Sequence, residues 1–184
     1  MKLPDKYFLY LGTIEPRKNL PLLLCAYHQL PEAIRQEYRL VIGGRRGWNA
    51  DPIYQLAEEL ATEPAPIWLG SVASADLPTL YRLATAFVFP SHYEGFGLPP
   101  LEAMACGTPA IVGNNSSLIE VVTDRQWRID HRSVDELTEA MTRLTDAKQR
   151  SLASVAALEA AAKFDFAKTA RQSAAAIEAG QNKR

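Results

Sequence analysis

Short unbroken apolar runs recur along this chain, each ending at glycine or proline and most followed by a stretch with helical periodicity. The first, Tyr7–Leu11, ends at Gly12 and predicts a buried strand. Residues 13–18 form a polar loop. Asn19 is expected to cap the next helix, whose apolar positions are Leu20, Leu23, Leu24 and Tyr27, with Pro21 in its first turn. Pro31 interrupts that helix. A second run at 40–42 meets Gly43 and Gly44, and a third at 67–69 meets Gly70. Asp51 and Pro52 open a helix through Ile53, Leu56, Ala57 and Leu60, and Ser74 is expected to cap one through Leu77, Leu80, Tyr81 and Ala84. Residues 87–89 predict a fourth strand stopped at Pro90, 110–112 a fifth, and 127–129 a short last one. Ser117 with Glu120, and Ser133 with Glu136, have capping-box spacing. From Ser133 onward the pattern is helical, with an alanine-rich stretch at 153–179 and no internal repeat.

Strands that are apolar throughout, alternating with helices, predict a parallel sheet covered on both faces. Right-handed crossovers make such a sheet doubly wound, so the fold class read from the chain is a Rossmann-like α/β domain. Ligands of these folds bind at the carboxyl ends of the strands. Gly12, Gly43, Gly70 and the loop after Pro90 all fall there.

Composition narrows the function classes. A length of 184 residues suits one domain, and 47% hydrophobic residues suffice for a substantial core. A formal net charge of -1 lacks the basic excess of a nucleic-acid-binding surface. Cys25 and Cys106 each sit in an apolar helical pattern and are expected to be buried reduced thiols, which fits a cytoplasmic chain. No apolar run reaches the roughly 20 residues of a membrane span, and no signal-peptide pattern precedes the first strand.

Two segments carry candidate chemistry. In Gly12-Thr13-Ile14-Glu15-Pro16-Arg17-Lys18-Asn19 a strand end runs to a helix start. Gly12 permits close approach of a ligand, and Arg17 and Lys18 beside a helix N-terminus attract phosphate. The plainer reading is that both are solvated loop charges. The second segment is Pro90-Ser91-His92-Tyr93-Glu94-Gly95-Phe96-Gly97-Leu98-Pro99-Pro100-Leu101-Glu102. Its glycines flank Phe96 immediately before a helix and leave backbone N–H groups free for oxyanions or sugar hydroxyls. Glu94 in the loop and Glu102 one turn into the helix can address different parts of one elongated ligand, because a carboxylate can accept from a vicinal diol. Read singly, Glu102 is a first-turn acid favoured by the helix dipole and Glu94 a loop charge.

Taken together, GTIEPRKN, VFPSHYEGFGLPPLEAMACGTPAIV and SSLIEVV resemble the retaining glycosyltransferases of the GT-B fold, including bacterial mannosyl- and glucosyltransferases and sucrose synthase. The resemblance covers nearly the whole chain, and the PSHYEGFGLPPLEAMACG string is similar to the branch that builds cell-surface polysaccharides. It implies the C-terminal, donor-binding half of a GT-B fold, transferring a hexose from a GDP- or UDP-linked sugar. On this resemblance Arg17 and Lys18 grip the diphosphate beside Gly12 and Thr13. Glu94 holds the transferred sugar, assisted by backbone groups of Gly95, Phe96, Gly97 and Leu98. Glu102 accepts the ribose hydroxyls, and Ser71 and Val72 hold the base. No metal or other cofactor is expected. Ile119, Thr123 and residues 125–127 depart from the family pattern, which leaves the conformation after Val122 open.

The resemblance also implies a separate N-terminal domain that binds a glycan or lipid-linked acceptor, with the working site at the inner face of the membrane. The chain opens directly on the first strand of the donor-binding half. The helix at 163–184 is then expected to cross to the other domain, its tail at 180–184 to fray, and the domain alone to self-associate. Other readings stay open at this point: a module that binds a nucleotide sugar without transfer, and a sugar-nucleotide epimerase. A dehydrogenase is disfavoured, since no G-x-G-x-x-G follows Leu11. Trp48 stacks on a base or shields a loop; His92 touches the sugar or is solvated; Arg45 and Arg46 are solvated or touch phosphate. His28 and His131 are read as surface residues without a special role.

Overall fold

Every residue of the first strand is buried, which places it inside the sheet rather than at an edge. In the computed structural model, which describes residues 3–181, that strand is β1 (Tyr7–Leu11). It is followed by a 3-10 turn (Pro16–Lys18), α1 (Leu20–Gln29), α2 (Glu32–Glu37), β2 (Arg39–Gly43), α3 (Asp51–Leu60), β3 (Ile67–Gly70) and α4 (Leu77–Leu83). The second half runs β4 (Ala86–Phe89), α5 (Leu98–Ala105), β5 (Ala110–Gly113), α6 (Leu118–Val121), a 3-10 turn (Arg125–Trp127), β6 (Arg128–Ile129), α7 (Val134–Arg143), α8 (Ala147–Ala161) and α9 (Phe166–Gln181). All strand pairs are parallel, in the order β3-β2-β1-β4-β5-β6. The sheet is parallel and doubly wound as predicted, and its strand order is that of a Rossmann fold.

The order reverses between β1 and β4, which pair at Phe8 with Ala86 and Leu9 with Phe87. At such a reversal the two following loops leave toward opposite faces of the sheet and open a crevice between them. Here those loops are the two chemistry-bearing segments. The sheet beneath is tied down by aromatic residues with satisfied polar ends. The Tyr7 hydroxyl donates to the Leu80 carbonyl at 2.8 Å, and the Tyr10 hydroxyl to that of Thr13 at 3.2 Å. Tyr10, Phe89 and Phe87 stack in series with centroid spacings of 5.9 and 5.6 Å.

Gly44 is required by sterics. Its φ is +147°, and a Cβ there would lie 1.8 Å from the Gly12 carbonyl oxygen. The loop after β2 is thereby pressed against the loop after β1, and Gly47 N–H donates to the Ile14 carbonyl at 3.0 Å.

Local expectations meet mixed outcomes. The Ser133 hydroxyl does cap α7, accepting from Glu136 N–H at 3.2 Å, but the Glu136 carboxylate passes over Ser133 and accepts from Asp130 N–H at 2.7 Å. Ser133→Ala should therefore cost about 1 kcal/mol, read as a lower urea midpoint at unchanged slope. Ser74 does not cap α4, whose N-cap is Asp76 with helical dihedrals and no side-chain bond. Ser117 occupies the N-cap of α6 without bonding its N–H groups, because its hydroxyl is engaged elsewhere. Trp127 lies in the 3-10 turn, not in β6. Cys25 and Cys106 are free but only half-buried, correcting the expectation of burial.

The alanine-rich end splits into two helices of different character. α8 buries Ala153, Ala157, Ala160 and Ala161, small residues that let it lie close on α5. α9 is exposed from Phe166 to Ala179, with Phe166 and Ile177 open to solvent. It continues to Gln181, so the expected fraying does not begin at Gly180; residues 182–184 lie outside the described residues. Among the described residues, no helix is long and apolar enough to cross a membrane.

Candidate active site

Lys18 is an unusual lysine in being buried, at 9% exposure, and Glu94 opposite it is equally so at 8%. Burial of both charges is tolerable because they pair: Lys18 Nζ donates to Glu94 Oε1 at 2.8 Å. Arg17 closes the other side of the carboxylate, donating to Oε2 at 3.1 Å and to the Tyr93 carbonyl at 2.7 Å. Its second nitrogen pairs with Glu15 at 2.9 Å, and these partners raise its affinity for the proton despite partial burial. Below Lys18 lies the face of Phe89, 4.9 Å from Nζ, an aromatic floor favourable to a cation. Glu94 thus links the two loops of the crevice, and the two basic residues converge on it, Lys18 buried and Arg17 still open to solvent on its outer side.

The loops are further locked by neutral hydrogen bonds. Asn19 holds φ +56° at the start of α1, and its side chain does not cap the helix. Instead Nδ2 spans to the carbonyls of Pro90 at 3.0 Å and His131 at 2.8 Å. His92 N–H donates to the Arg17 carbonyl at 2.9 Å. From the far side, Ser116 Oγ accepts from Glu94 N–H at 3.1 Å, and Ser117 Oγ donates to the Glu94 carbonyl at 2.9 Å. The backbone of Glu94 is gripped at both polar groups, which fixes where its carboxylate points. Asn115 completes the shell, donating to the Ser91 carbonyl at 3.0 Å with Nδ2 3.1 Å from His131 Nδ1.

A cleft bears the second carboxylate. Its volume is about 300 Å³, at the small end of ligand clefts, and it is lined by Gly12, Thr13, Gly43, Arg45, Ser71, Val72, Tyr81 and Glu102, among others. Glu102 projects from α5 one turn beyond Gly97, whose φ of +99° lets the chain turn into the helix. Its Oε2 accepts from the Tyr81 hydroxyl at 2.9 Å. Glu94 thus lies in the ion-pair cluster between the loops, and Glu102 on the wall of this cleft.

Other candidate positions have varied settings. The exposed Phe96 ring packs edge-on against Phe164 at 5.9 Å, and exposed Gly95 has open space at its α-carbon. Gly97 is buried and Leu98 exposed. Arg46 is not simply solvated: it pairs with Asp51 and lies over the Tyr54 ring at 5.0 Å, while Trp48 is 65% exposed. His131 is not an idle surface residue, since its carbonyl anchors Asn19 and its ring meets the His92 ring edge-on at 5.3 Å. Burial first, then His131 and Arg132, lower the His92 pKa. Reading the sequence missed Asn19, Asn115, Ser116, Ser117 and Tyr81 as parts of the site. Polar residues next to a strand end were the available signal, but their partners lie between 21 and 112 positions away.

Two basic residues closing on a carboxylate at the switch point of a Rossmann sheet, and a cleft bearing a second carboxylate, agree with a match over residues 2–162 to the family model described as glycosyl transferases group 1. The chain belongs to this family. Among curated members it is 45% identical over 161 residues to O-antigen chain mannosyltransferase B of Escherichia coli, covering 87% of this chain and 42% of that protein. The chain thus spans less than half the length of this relative. Solved glycosyltransferase structures share the fold. HepE of Anabaena, in complex with UDP and glucose, superposes with a TM-score of 0.82 at 21% identity, over 94% of this chain and 48% of that one. The C-terminal domain of the group 1 protein LpcC from Francisella tularensis gives 0.75 at 22% identity, over 88% and 87%. The group 1 chain described here is accordingly a C-terminal-type domain of the GT-B fold.

Proposed function

We propose that this chain is the donor-binding half of a retaining glycosyltransferase that moves a hexose, mannose in particular, from a GDP- or UDP-linked donor to a glycan or lipid-linked acceptor in surface polysaccharide synthesis. The observation that carries this reading is the placement of the charged residues around the β1–β4 reversal. Arg17, Lys18 and Glu94 form an ion-pair cluster where the two loops meet, and Glu102 lines a cleft together with Gly12, Thr13, Ser71 and Val72. A nucleoside-diphosphate sugar has the same sequence of chemistries: base, diol, diphosphate, sugar. The mannosyl assignment leans on the O-antigen mannosyltransferase relative, and the nucleotide on the UDP complex of a structural neighbour.

On this reading Lys18 and Arg17 take the diphosphate. As the bond from the anomeric carbon to the β-phosphate oxygen breaks, negative charge grows on that oxygen, and fixed cations stabilise it without reorganisation. Glu94, held at both ends of its peptide, accepts from sugar hydroxyls and sets the anomeric carbon against the diphosphate. Glu102 accepts from the ribose hydroxyls, with Ser71 and Val72 at the base. Arg17 and Lys18 supply the leaving-group charge balance that a metal ion gives in other transferases. α9, exposed over residues 166–179, packs in the complete enzyme on the acceptor-binding domain, which works in the cytoplasm at the inner membrane face.

Calorimetric titration of GDP, UDP, their hexose conjugates and the 2′-deoxy diphosphates tests the reading. The chain should bind one base series and prefer ribose over deoxyribose by about 10- to 100-fold, the scale of a hydrogen bond to a charged group. Glu102→Gln should erase most of that preference. Silence toward every nucleotide sinks the proposal, and donor binding with no transfer by the complete enzyme identifies a non-catalytic binding module instead.

A further inference from the structure

The Tyr81–Glu102 contact is a side-chain pair that the proposed reaction does not use. Tyr81 is 3% exposed, and its ring packs edge-on against Phe87 of β4 with centroids 5.4 Å apart. Its own carbonyl accepts from the buried Thr108 hydroxyl, and the preceding carbonyl, of Leu80, accepts from Tyr7 of β1. Ring and backbone of Tyr81 are therefore fastened to the sheet, while the residue still lines the cleft. Glu102 is the opposite case: an exposed glutamate on the cleft wall, whose bond at 2.9 Å to that phenol is its one side-chain hydrogen bond among the described residues.

A free glutamate side chain loses rotamer freedom when it is fixed by a ligand. A glutamate already tethered to a rigid donor loses less, so part of the ordering is complete before binding. The tether also decides which oxygen is used. The phenol occupies Oε2, and Oε1 has no hydrogen bond among the described residues, so its acceptor capacity is intact. We propose that Tyr81 is a positioning residue: its hydroxyl anchors Oε2 of Glu102 and so presents Oε1 to the vicinal hydroxyls of the bound nucleotide. This rests on the assignment of Glu102 to the ribose. Burial, and then the Glu102 charge, push the Tyr81 pKa far above its ordinary value, so the phenol remains a donor throughout the working range of pH.

The test is calorimetry of GDP, UDP and their 2′-deoxy counterparts on the chain, its Tyr81→Phe and Glu102→Gln variants and the double variant. Tyr81→Phe should leave 2′-deoxynucleotide affinity within about twofold of the parent. It should lower the ribose preference by roughly fivefold, the scale of one lost side-chain tether. In the double variant, Tyr81→Phe should add nothing to the loss caused by Glu102→Gln, because its effect passes through that carboxylate. A parent chain indifferent to the 2′-hydroxyl overturns the ribose assignment, and the positioning role with it. A parent that discriminates, with Tyr81→Phe discriminating equally well, overturns the role of Tyr81 alone. So does an equal fall in ribose and deoxyribose affinity, which marks a purely structural tyrosine; a thermal melt of each variant accompanies the titrations.

Discussion

Replacing Lys18 by alanine is expected to weaken nucleoside-diphosphate binding far more than nucleoside binding. In the complete enzyme it should slow transfer by roughly 100- to 1,000-fold, equivalent to about 3–4 kcal/mol of transition-state stabilisation. The size follows from burial. Lys18 sits at 9% exposure on the Phe89 ring, where its charge is screened less than that of a surface lysine. The variant should still fold, because Glu94 keeps its contact with Arg17 at 3.1 Å and is not left as a lone buried charge. Titration of the diphosphate and of the bare nucleoside separates the two roles. Equal loss for both ligands would place Lys18 in the fold rather than at the phosphate.

Glu94→Gln should move binding and transfer in opposite directions. The carboxylate now compensates Lys18 and Arg17 together, through bonds of 2.8 and 3.1 Å. An incoming diphosphate must compete with it for both cations. Removing its charge while keeping its shape should therefore tighten binding of the sugar-free diphosphate about two- to fivefold at low salt, with the gain fading as ionic strength rises. Transfer in the complete enzyme should nevertheless fall roughly 100-fold or more, since an amide accepts fewer hydrogen bonds from the sugar. Joint loss of diphosphate binding and transfer would show that Glu94 is needed to hold the loops together. The backbone bonds to Ser116 and Ser117 argue against that outcome, because they survive the substitution.

Asn19 shows how a local pattern can be read in the right place for the wrong reason. An asparagine before an apolar periodic run is a standard helix start, and it does occupy the N-cap of α1. Its side chain is nevertheless spent on carbonyls 71 and 112 positions away. Ser117 repeats the case. Its hydroxyl has the spacing of a capping box but reaches the Glu94 carbonyl, since α6 begins where the loop after β4 passes by. At Ser133 the serine half of the box forms as the spacing predicts, although the Glu136 carboxylate accepts from Asp130 N–H in place of Ser133 N–H.

The strands and their parallel order were legible because burial on both faces demands unbroken apolar runs, and a period of that kind survives in any tertiary context. The positions of Arg17, Lys18, Glu94 and Glu102 at strand ends followed from the same runs, together with the glycines that stop them. Which charges would meet was not legible. Lys18 and Glu94 are 76 positions apart, and only the reversal of strand order between β1 and β4 brings their loops to one crevice. The Tyr81–Glu102 bond likewise depends on α4 and α5 covering the same face of β4. Periodicity is a property of neighbours along the chain, so the sequence by itself determined the elements and the candidate residues. A hydrogen bond is a property of neighbours in space, so the pairing of those residues, in the ion-pair cluster between the loops and in the Tyr81–Glu102 bond of the cleft, was decided by the packed sheet alone.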